Sequence, residues 1–191
     1  MAIYHLHISN GSKAKGASAS IRSDYIQREG EYAEGRDKLL YKASGNMPSW
    51  AAEEARTYWC AADEGERSNG RVYKEIEAAL PRELNFEQQK ELATTFAKEI
   101  TAKHQLPFTL AIHEGKGENP HIHLMVSDRG KDGFERAPTD VWSPEVSRDV
   151  LLQNLIFHHR DVRFIGLDWV SRQPRGRDTS SLHGFDGGTL D

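Results

Sequence analysis

Hydrophobic and polar positions alternate most clearly in two short stretches that flank a glycine-containing segment. In Phe108–His113 and in His121–Val126 every second residue is apolar, which is the period-two pattern of a β-strand. The connecting residues 114–120 are polar, contain glycine and end in Asn-Pro, a composition typical of a loop. The pattern predicts an antiparallel hairpin with its histidines on one face and its apolar side chains on the other.

Alternation also predicts a strand at residues 2–8 and another at residues 71–80. The second segment fits a helix nearly as well, but a short run that ends at a proline favours a strand. Residues 10–16 are basic and polar and predict a flexible loop, whereas residues 31–47 show no pattern that assigns them. A last strand is predicted at residues 162–170.

Helices are predicted where a capping residue precedes apolar positions spaced three or four apart. They run from Ser18 or Ser20 to Glu29, from Ser49 to about Ala62, from Asn85 onward, and from Ser143 to about His158. Strands mixed with helices, including one hairpin, predict an α+β fold with a largely antiparallel central sheet flanked by helices. We expect one domain over residues 1–170, followed by a polar, flexible tail over residues 171–191.

The composition excludes several classes of protein. With 37% hydrophobic and 28% charged residues, the chain has the composition of a globular protein rather than a disordered one. No apolar run approaches the ~18–20 residues of a membrane span, and no secretory signal is visible. A net charge of −4 argues against a uniformly basic nucleic-acid binder but leaves room for a local basic groove. The single cysteine, Cys60, allows no internal disulfide, which favours the cytoplasm.

The predicted hairpin would place three imidazoles, from His113, His121 and His123, on one exposed sheet face. Such a set makes a metal site with open positions, and imidazole favours transition ions over Mg²⁺. The alternative is a chance His-x-His pair on a half-exposed strand. A cupin would also explain the triplet, because Gly115 lies at the cupin spacing before His121. However, the glutamate ligand of that signature is missing, and no second cupin motif follows.

Two further features could carry chemistry. Tyr25 stands among charged residues, and a phenol becomes a useful nucleophile where a metal polarises the electrophile and nearby cations stabilise the phenolate. Its simpler interpretation is an amphipathic side chain at the rim of the core. Glu75 and Glu77 share a face if their segment is a strand. They could handle a proton or a metal-bound water, or they could simply form a solvated face.

These residues lie in segments that together resemble the MobA/MobL mobilization relaxases, within the HUH endonucleases. The matching segments are the opening MAIYHL, the block SDYIQREG around Tyr25, residues 69–81, and TLAIH followed by GENPHIHLM in the hairpin. The match is clear to about Pro138. The resemblance implies an antiparallel sheet flanked by helices, with Tyr25 as the nucleophile. It also implies that His113, His121 and His123 bind the metal and that Glu75 and Glu77 form an acidic pair beside it.

The resemblance implies a DNA relaxase that nicks one strand of a plasmid at its origin of transfer. Tyr25 would form a 5′-phosphotyrosyl adduct and later religate the strand, with a divalent ion, Mn²⁺ or Mg²⁺ and alternatively Zn²⁺, as cofactor. The implied partners are single-stranded origin DNA, accessory relaxosome proteins and a secretion coupling protein, without membrane insertion. A truncated module that binds the origin without nicking it is the alternative. The cations expected to contact DNA are Lys13, Lys15, Arg22, Arg28, Arg71 and Lys74.

Overall fold

The computed structural model describes residues 5–34, 37–115 and 119–130, all of them within the unit Met1–His158. In this part of the chain five strands form one sheet in the order β1-β3-β5-β4-β2, and every neighbouring pair is antiparallel. The strands are β1 (Leu6–Ser12), β2 (Leu39–Gly45), β3 (Arg71–Ala79), β4 (Phe108–His113) and β5 (His121–Val126). The predicted α+β class with an antiparallel sheet is therefore confirmed.

Helices cover both faces of this sheet. They are α1 (Ala19–Gln27), α2 (Ala55–Gly65) and α3 (Phe86–Ala102), and short 3-10 turns occupy Lys13–Lys15, Gly30–Tyr32 and Ser49–Ala51. One core joins α3 to the apolar side chains of β3, β4 and β5: Leu92, Phe96, Ile76, Leu110, Ile112, Ile122 and Leu124. The second core joins α1 and α2 to the other sheet face, through Ala19, Ile26, Tyr58, Trp59, Ala111 and Met125. The strands near the middle of the sheet are thus covered on both sides.

Several predicted elements are confirmed. Residues 71–79 form a strand, because β3 lies between β1 and β5 and pairs with both. The third helix starts after Asn85, whose side chain accepts from the Gln88 backbone N–H while the Gln88 side chain accepts from the Asn85 backbone, each at 3.0 Å. The hairpin forms in the predicted register, with His113 directly opposite His121.

Other predictions for the first third of the chain are wrong. The strand predicted at residues 2–8, of which residues 2–4 lie outside the described part of the chain, runs from Leu6 through Ser12 and so enters the segment predicted as a flexible loop. Gly11 faces the ring of Tyr73 on β3 so closely that a Cβ atom would clash with it, which explains a glycine in this strand. The rest of that segment is a 3-10 turn, tied down by Lys13 Nζ, which donates to the carbonyl oxygens of Asp63 (2.6 Å) and Glu66 (2.8 Å).

The second helix also starts later than predicted. Ser49–Ala51 form a 3-10 turn, and α2 begins only at Ala55, after Glu54. The unassigned stretch 31–47 contains the strand β2, which lies at an edge of the sheet. The helix predicted from Ser143, the strand predicted at 162–170 and the tail lie outside the described residues. Among the helices that are described, none is long and apolar enough to cross a membrane.

Candidate metal centre and tyrosine site

The hairpin of β4 and β5 brings three imidazoles together. His113 lies opposite His121, and His123 follows two residues later on the same strand face. One ring nitrogen from each of the three lies within 4.8 Å of the others. The sequence predicts an exposed face, but the structure buries His113 and His123 at 0% and 6% exposure, because α1 packs against this side of the sheet.

Burial also favours the protonation state that binds metals. Desolvation lowers the pKa of His113 to about 4, although the backbone of Ile26 opposes this shift. Burial likewise lowers the pKa of His121, against a weaker opposing contribution from the Asn119 backbone. Neutral imidazole is the form that ligates a metal, so the donor set fits a divalent ion.

Glu75 on β3 fixes the third imidazole. His123 Nδ1 donates to Glu75 Oε1 at 2.9 Å, which leaves Nε2 as the nitrogen with a free lone pair. Arg22 forms a fork with the same carboxylate, with Nε at 2.8 Å from Oε2 and Nη2 at 2.5 Å from Oε1. Burial opposes ionisation of Glu75, but hydrogen bonds from His123 and Arg22 outweigh it and lower the pKa of Glu75 to about 2. The carboxylate is therefore ionised at neutral pH and orients a potential ligand.

Helix α1 carries Tyr25 close to its C-terminal end, and this end contacts the histidines. His113 Nε2 donates to the carbonyl oxygen of Ile26 at 2.7 Å, and Arg28 Nη2 lies 3.4 Å from His113 Nδ1. The other end of α1 is anchored by Asp63 of α2, whose carboxylate accepts from the backbone N–H groups of Ala19 (2.6 Å) and Ser20 (2.9 Å). The nucleophile predicted from sequence thus lies on the segment that touches the triad.

Glu77 occupies a different environment from Glu75. It is half-buried and lies beside a cleft of about 430 Å³ that opens next to His121. The cleft is lined by His5, Asp37, Glu77, Ala79, Gly115, Asn119 and His121. The sequence reasoning missed Asp37 and Asn119, since Asp37 lies within the unpatterned segment 31–47 and Asn119 looks like an ordinary loop residue. The two glutamates therefore differ in what they can do: Glu75 holds a histidine, and Glu77 faces the cleft.

Most of the cations predicted to contact DNA have partners within the protein. Lys13 donates to two backbone carbonyls, Arg22 pairs with Glu75, and Arg71 pairs with Asp128. Arg28 donates to the carbonyl oxygens of Tyr25 (2.9 Å) and Asp37 (3.1 Å). Lys74 is buried, and desolvation lowers its pKa to about 8, whereas Lys15 is exposed. Contact of these six residues with DNA stays a prediction.

The fold and the site define a class: an antiparallel α+β protein with a cluster of three histidines that could hold a metal ion and a tyrosine-bearing helix packed against that cluster. The sequence profile of the MobA/MobL family matches residues 11–148, and the chain belongs to this family. It is 54% identical over 142 residues to mobilization protein A of Escherichia coli, covering 74% of this chain and 20% of that protein. It is 50% identical over 145 residues to a 43 kDa relaxation protein of Salmonella typhimurium, covering 72% of this chain and 38% of that protein.

These matches confirm the resemblance noted in the sequence and overturn the cupin alternative. The profile extends past Pro138 to residue 148. A solved structure described as "Molecular Basis of Vancomycin Resistance Transfer in Staphylococcus aureus" superposes with a TM-score of 0.66 at 25% identity, covering 85% of this chain and 97% of that one. The chain spans less than half the length of the two curated relatives described above.

Proposed function

We propose that this chain is the nicking domain of a relaxase that cuts one strand of a plasmid at its origin of transfer. The observation that carries the proposal is the contact between the α1 end and the triad. His113 donates to the carbonyl of Ile26, the residue next to Tyr25. A tyrosine beside a metal centre suits attack on a phosphodiester, where the nucleophile and the polarised phosphate must lie close together. The names of the mobilization and relaxation proteins that match the chain point to the same activity.

In the proposed reaction the Tyr25 phenolate oxygen attacks the scissile phosphorus. A bond forms between Tyr25 Oη and phosphorus, and the bond between phosphorus and the 3′ oxygen breaks. The phenol proton passes to a base, and the departing 3′ oxygen takes up a proton to become a free hydroxyl. The products are a 5′-phosphotyrosyl adduct and a 3′ hydroxyl, and attack by that hydroxyl on the adduct rejoins the strand.

The other side chains of the candidate site have distinct tasks in this proposal. A divalent ion held by His113, His121 and His123, with Mn²⁺ or Mg²⁺ favoured and Zn²⁺ as an alternative, would act as a Lewis acid toward the non-bridging phosphate oxygens. Glu75 keeps His123 in the orientation and tautomer that presents Nε2. Glu77, which lines the cleft, would exchange a proton with the reacting groups.

The substrate in this proposal is single-stranded DNA. Lys13, Lys15, Arg22, Arg28, Arg71 and Lys74 stay predicted DNA contacts, and Lys15 is the exposed member of that set. Accessory relaxosome proteins and a secretion coupling protein are the proposed partners of the whole protein. The alternative is a module that binds the origin without cutting it, and it is favoured by the small share of each relative that the chain spans.

A covalent-adduct assay tests the proposal directly. The chain is incubated with Mn²⁺ and short overlapping single strands that tile the DNA around its gene, and denaturing gels are examined for a protein–DNA adduct. We expect an adduct with one strand sequence, and its loss in Tyr25→Phe with DNA binding retained. Tyr32→Phe is the matched control, because its ring lies 5.5 Å from that of Tyr25 but it is not the proposed nucleophile. Undiminished adduct in Tyr25→Phe would remove Tyr25 from the mechanism, and DNA binding without any adduct would favour the non-cutting module.

A further inference from the structure

Two guanidinium groups enclose the ring of Tyr25. The Arg22 guanidinium carbon lies 4.6 Å from the ring centroid, and that of Arg28 lies 4.7 Å from it. Both distances fall within the range of a cation–π contact. Arg22 precedes Tyr25 by one helical turn on α1, so the two side chains share a helix face. One of the two cations that flank the Tyr25 ring therefore comes from the same helix, α1.

The same two arginines also contact the metal centre. Arg22 forks onto Glu75 with distances of 2.8 and 2.5 Å, and Arg28 Nη2 lies 3.4 Å from His113 Nδ1. Glu75 Oε1 accepts from Arg22 and from His123 at the same time. A single guanidinium therefore contacts both the tyrosine ring and the carboxylate that orients a histidine of the triad.

We propose that Arg22 is a positioning residue that holds Tyr25 and the Glu75–His123 pair in one fixed arrangement. Its guanidinium is then used inside the site, and this inference replaces, for Arg22 alone, the DNA contact predicted from the sequence. This inference rests on the proposed function, since it assigns Arg22 a task in the nicking reaction. Burial lowers the pKa of Arg22, but the hydrogen bond to Glu75 and the charges of Glu75, Tyr73 and Tyr25 together outweigh that effect and raise the pKa, so the group stays charged.

Arginine suits this task and lysine does not. The planar guanidinium can form a fork with a carboxylate while its face lies over an aromatic ring, whereas a lysine ammonium is a point charge that cannot do both. Without the fork, the Glu75 carboxylate is free to rotate, and His123 loses its fixed orientation. The Tyr25 ring loses one of its two flanking cations at the same time.

Arg22→Lys in the full chain separates positioning from charge. The measurements are the Mn²⁺ dissociation constant, with the metal alone as the probe, and the rate of adduct formation at saturating Mn²⁺ and DNA. We expect Mn²⁺ affinity to fall ~10-fold, as for other residues that orient metal ligands, and the saturated rate to fall with it. Arg56→Lys is the matched control, because Arg56 also pairs with a carboxylate of α1, Asp24, at 3.0 Å, and should change neither quantity. Arg22→Lys with Mn²⁺ affinity and saturated rate like those of the parent protein would overturn the inference.

Arg22→Gln tests the alternative that Arg22 binds a DNA phosphate. It also replaces the lysine variant if that variant does not fold. Binding of an all-thymidine single strand is measured across a range of salt concentrations. A positioning role predicts an unchanged salt slope, while a lost phosphate contact lowers the slope by about 1 and overturns the inference. The Mn²⁺ measurement needs no DNA. It therefore tests the positioning role of Arg22 even if the parent chain forms no adduct and the nicking proposal itself fails.

Discussion

At the residue scale, ionisation of Glu75 in the candidate site makes the stability of the fold depend on pH. Its folded pKa of about 2 lies below the ordinary 4.5. Folding is therefore stabilised above pH 4.5, and that contribution is lost as the pH falls toward 2. The difference between the two pKa values corresponds to ~3 kcal/mol at neutral pH. In urea unfolding, Glu75→Gln should lower the free energy of unfolding by this amount at pH ~7 and by much less at pH ~3.

The control for this prediction is Glu91→Gln, because Glu91 is exposed on α3. It should change the free energy of unfolding little at either pH. An equal loss for Glu75→Gln at both pH values would mean that packing, and not ionisation, explains the destabilisation.

Only some features of this site can be predicted from the sequence. Alternation is enough to place His113, His121 and His123 on one face, because side chains on a strand repeat with period two. It does not reveal that α1 closes over this face and buries two of them. The Arg22–Glu75 fork joins residues 53 positions apart, and no local pattern reports such a pair. The sequence therefore identifies the chemical groups of the site but not how they are connected.

At the element scale, the loop between β4 and β5 depends on Gly115. Its φ is +69°, and a Cβ atom there would collide with the Asn119 carbonyl and crowd His121 Nδ1. Gly115→Ala should destabilise the fold by ~1–2 kcal/mol through strain and crowding. It should also weaken Mn²⁺ binding, because His121 must move.

Gly16→Ala is the matched control for this change. Gly16 has a similar φ of +77°, but a Cβ atom there would meet nothing within 4 Å. We expect it to lower the unfolding free energy by ~1 kcal/mol through backbone strain alone and to leave Mn²⁺ affinity unchanged. Chemical unfolding and Mn²⁺ titration of both variants test this. Equal Mn²⁺ affinity in the two would show that the loop does not position His121.

The elements that sequence predicts correctly have a local signal. The third helix has a capping box and a regular apolar stripe. The segment of β3 fits a helix nearly as well, but it is short and Pro81 follows it. The edge strand β2 has no such local signal, since its residues are mostly half-exposed and follow no clear alternation. The end of β1 is a strand because Asn10 and Gly11 pair with Lys74 and Tyr73 of β3. Pairing with a distant strand overrides local polarity there, so such segments are invisible to pattern analysis.

At the scale of the whole molecule, the triad should couple metal binding to folding. His113, His121 and His123 come from two strands, and Glu75 comes from a third, so the donor set exists only when the sheet is assembled. A ligand that binds only the folded state stabilises it by ~2.7 kcal/mol at a concentration of 100 times its dissociation constant. The melting temperature should therefore rise with Mn²⁺ concentration and return to its starting value when a chelator is added.

Two histidine variants make this prediction specific to the triad. In His121→Ala the Mn²⁺-dependent rise in melting temperature should largely disappear, because one of three ligands is lost. In His7→Ala it should persist, since His7 is exposed on β1 and lies outside the triad. Calorimetric scans of the three proteins over a Mn²⁺ series measure the effect. An Mn²⁺-dependent rise in His121→Ala as large as in the parent protein would place the metal elsewhere on the molecule and remove the basis for a three-histidine centre.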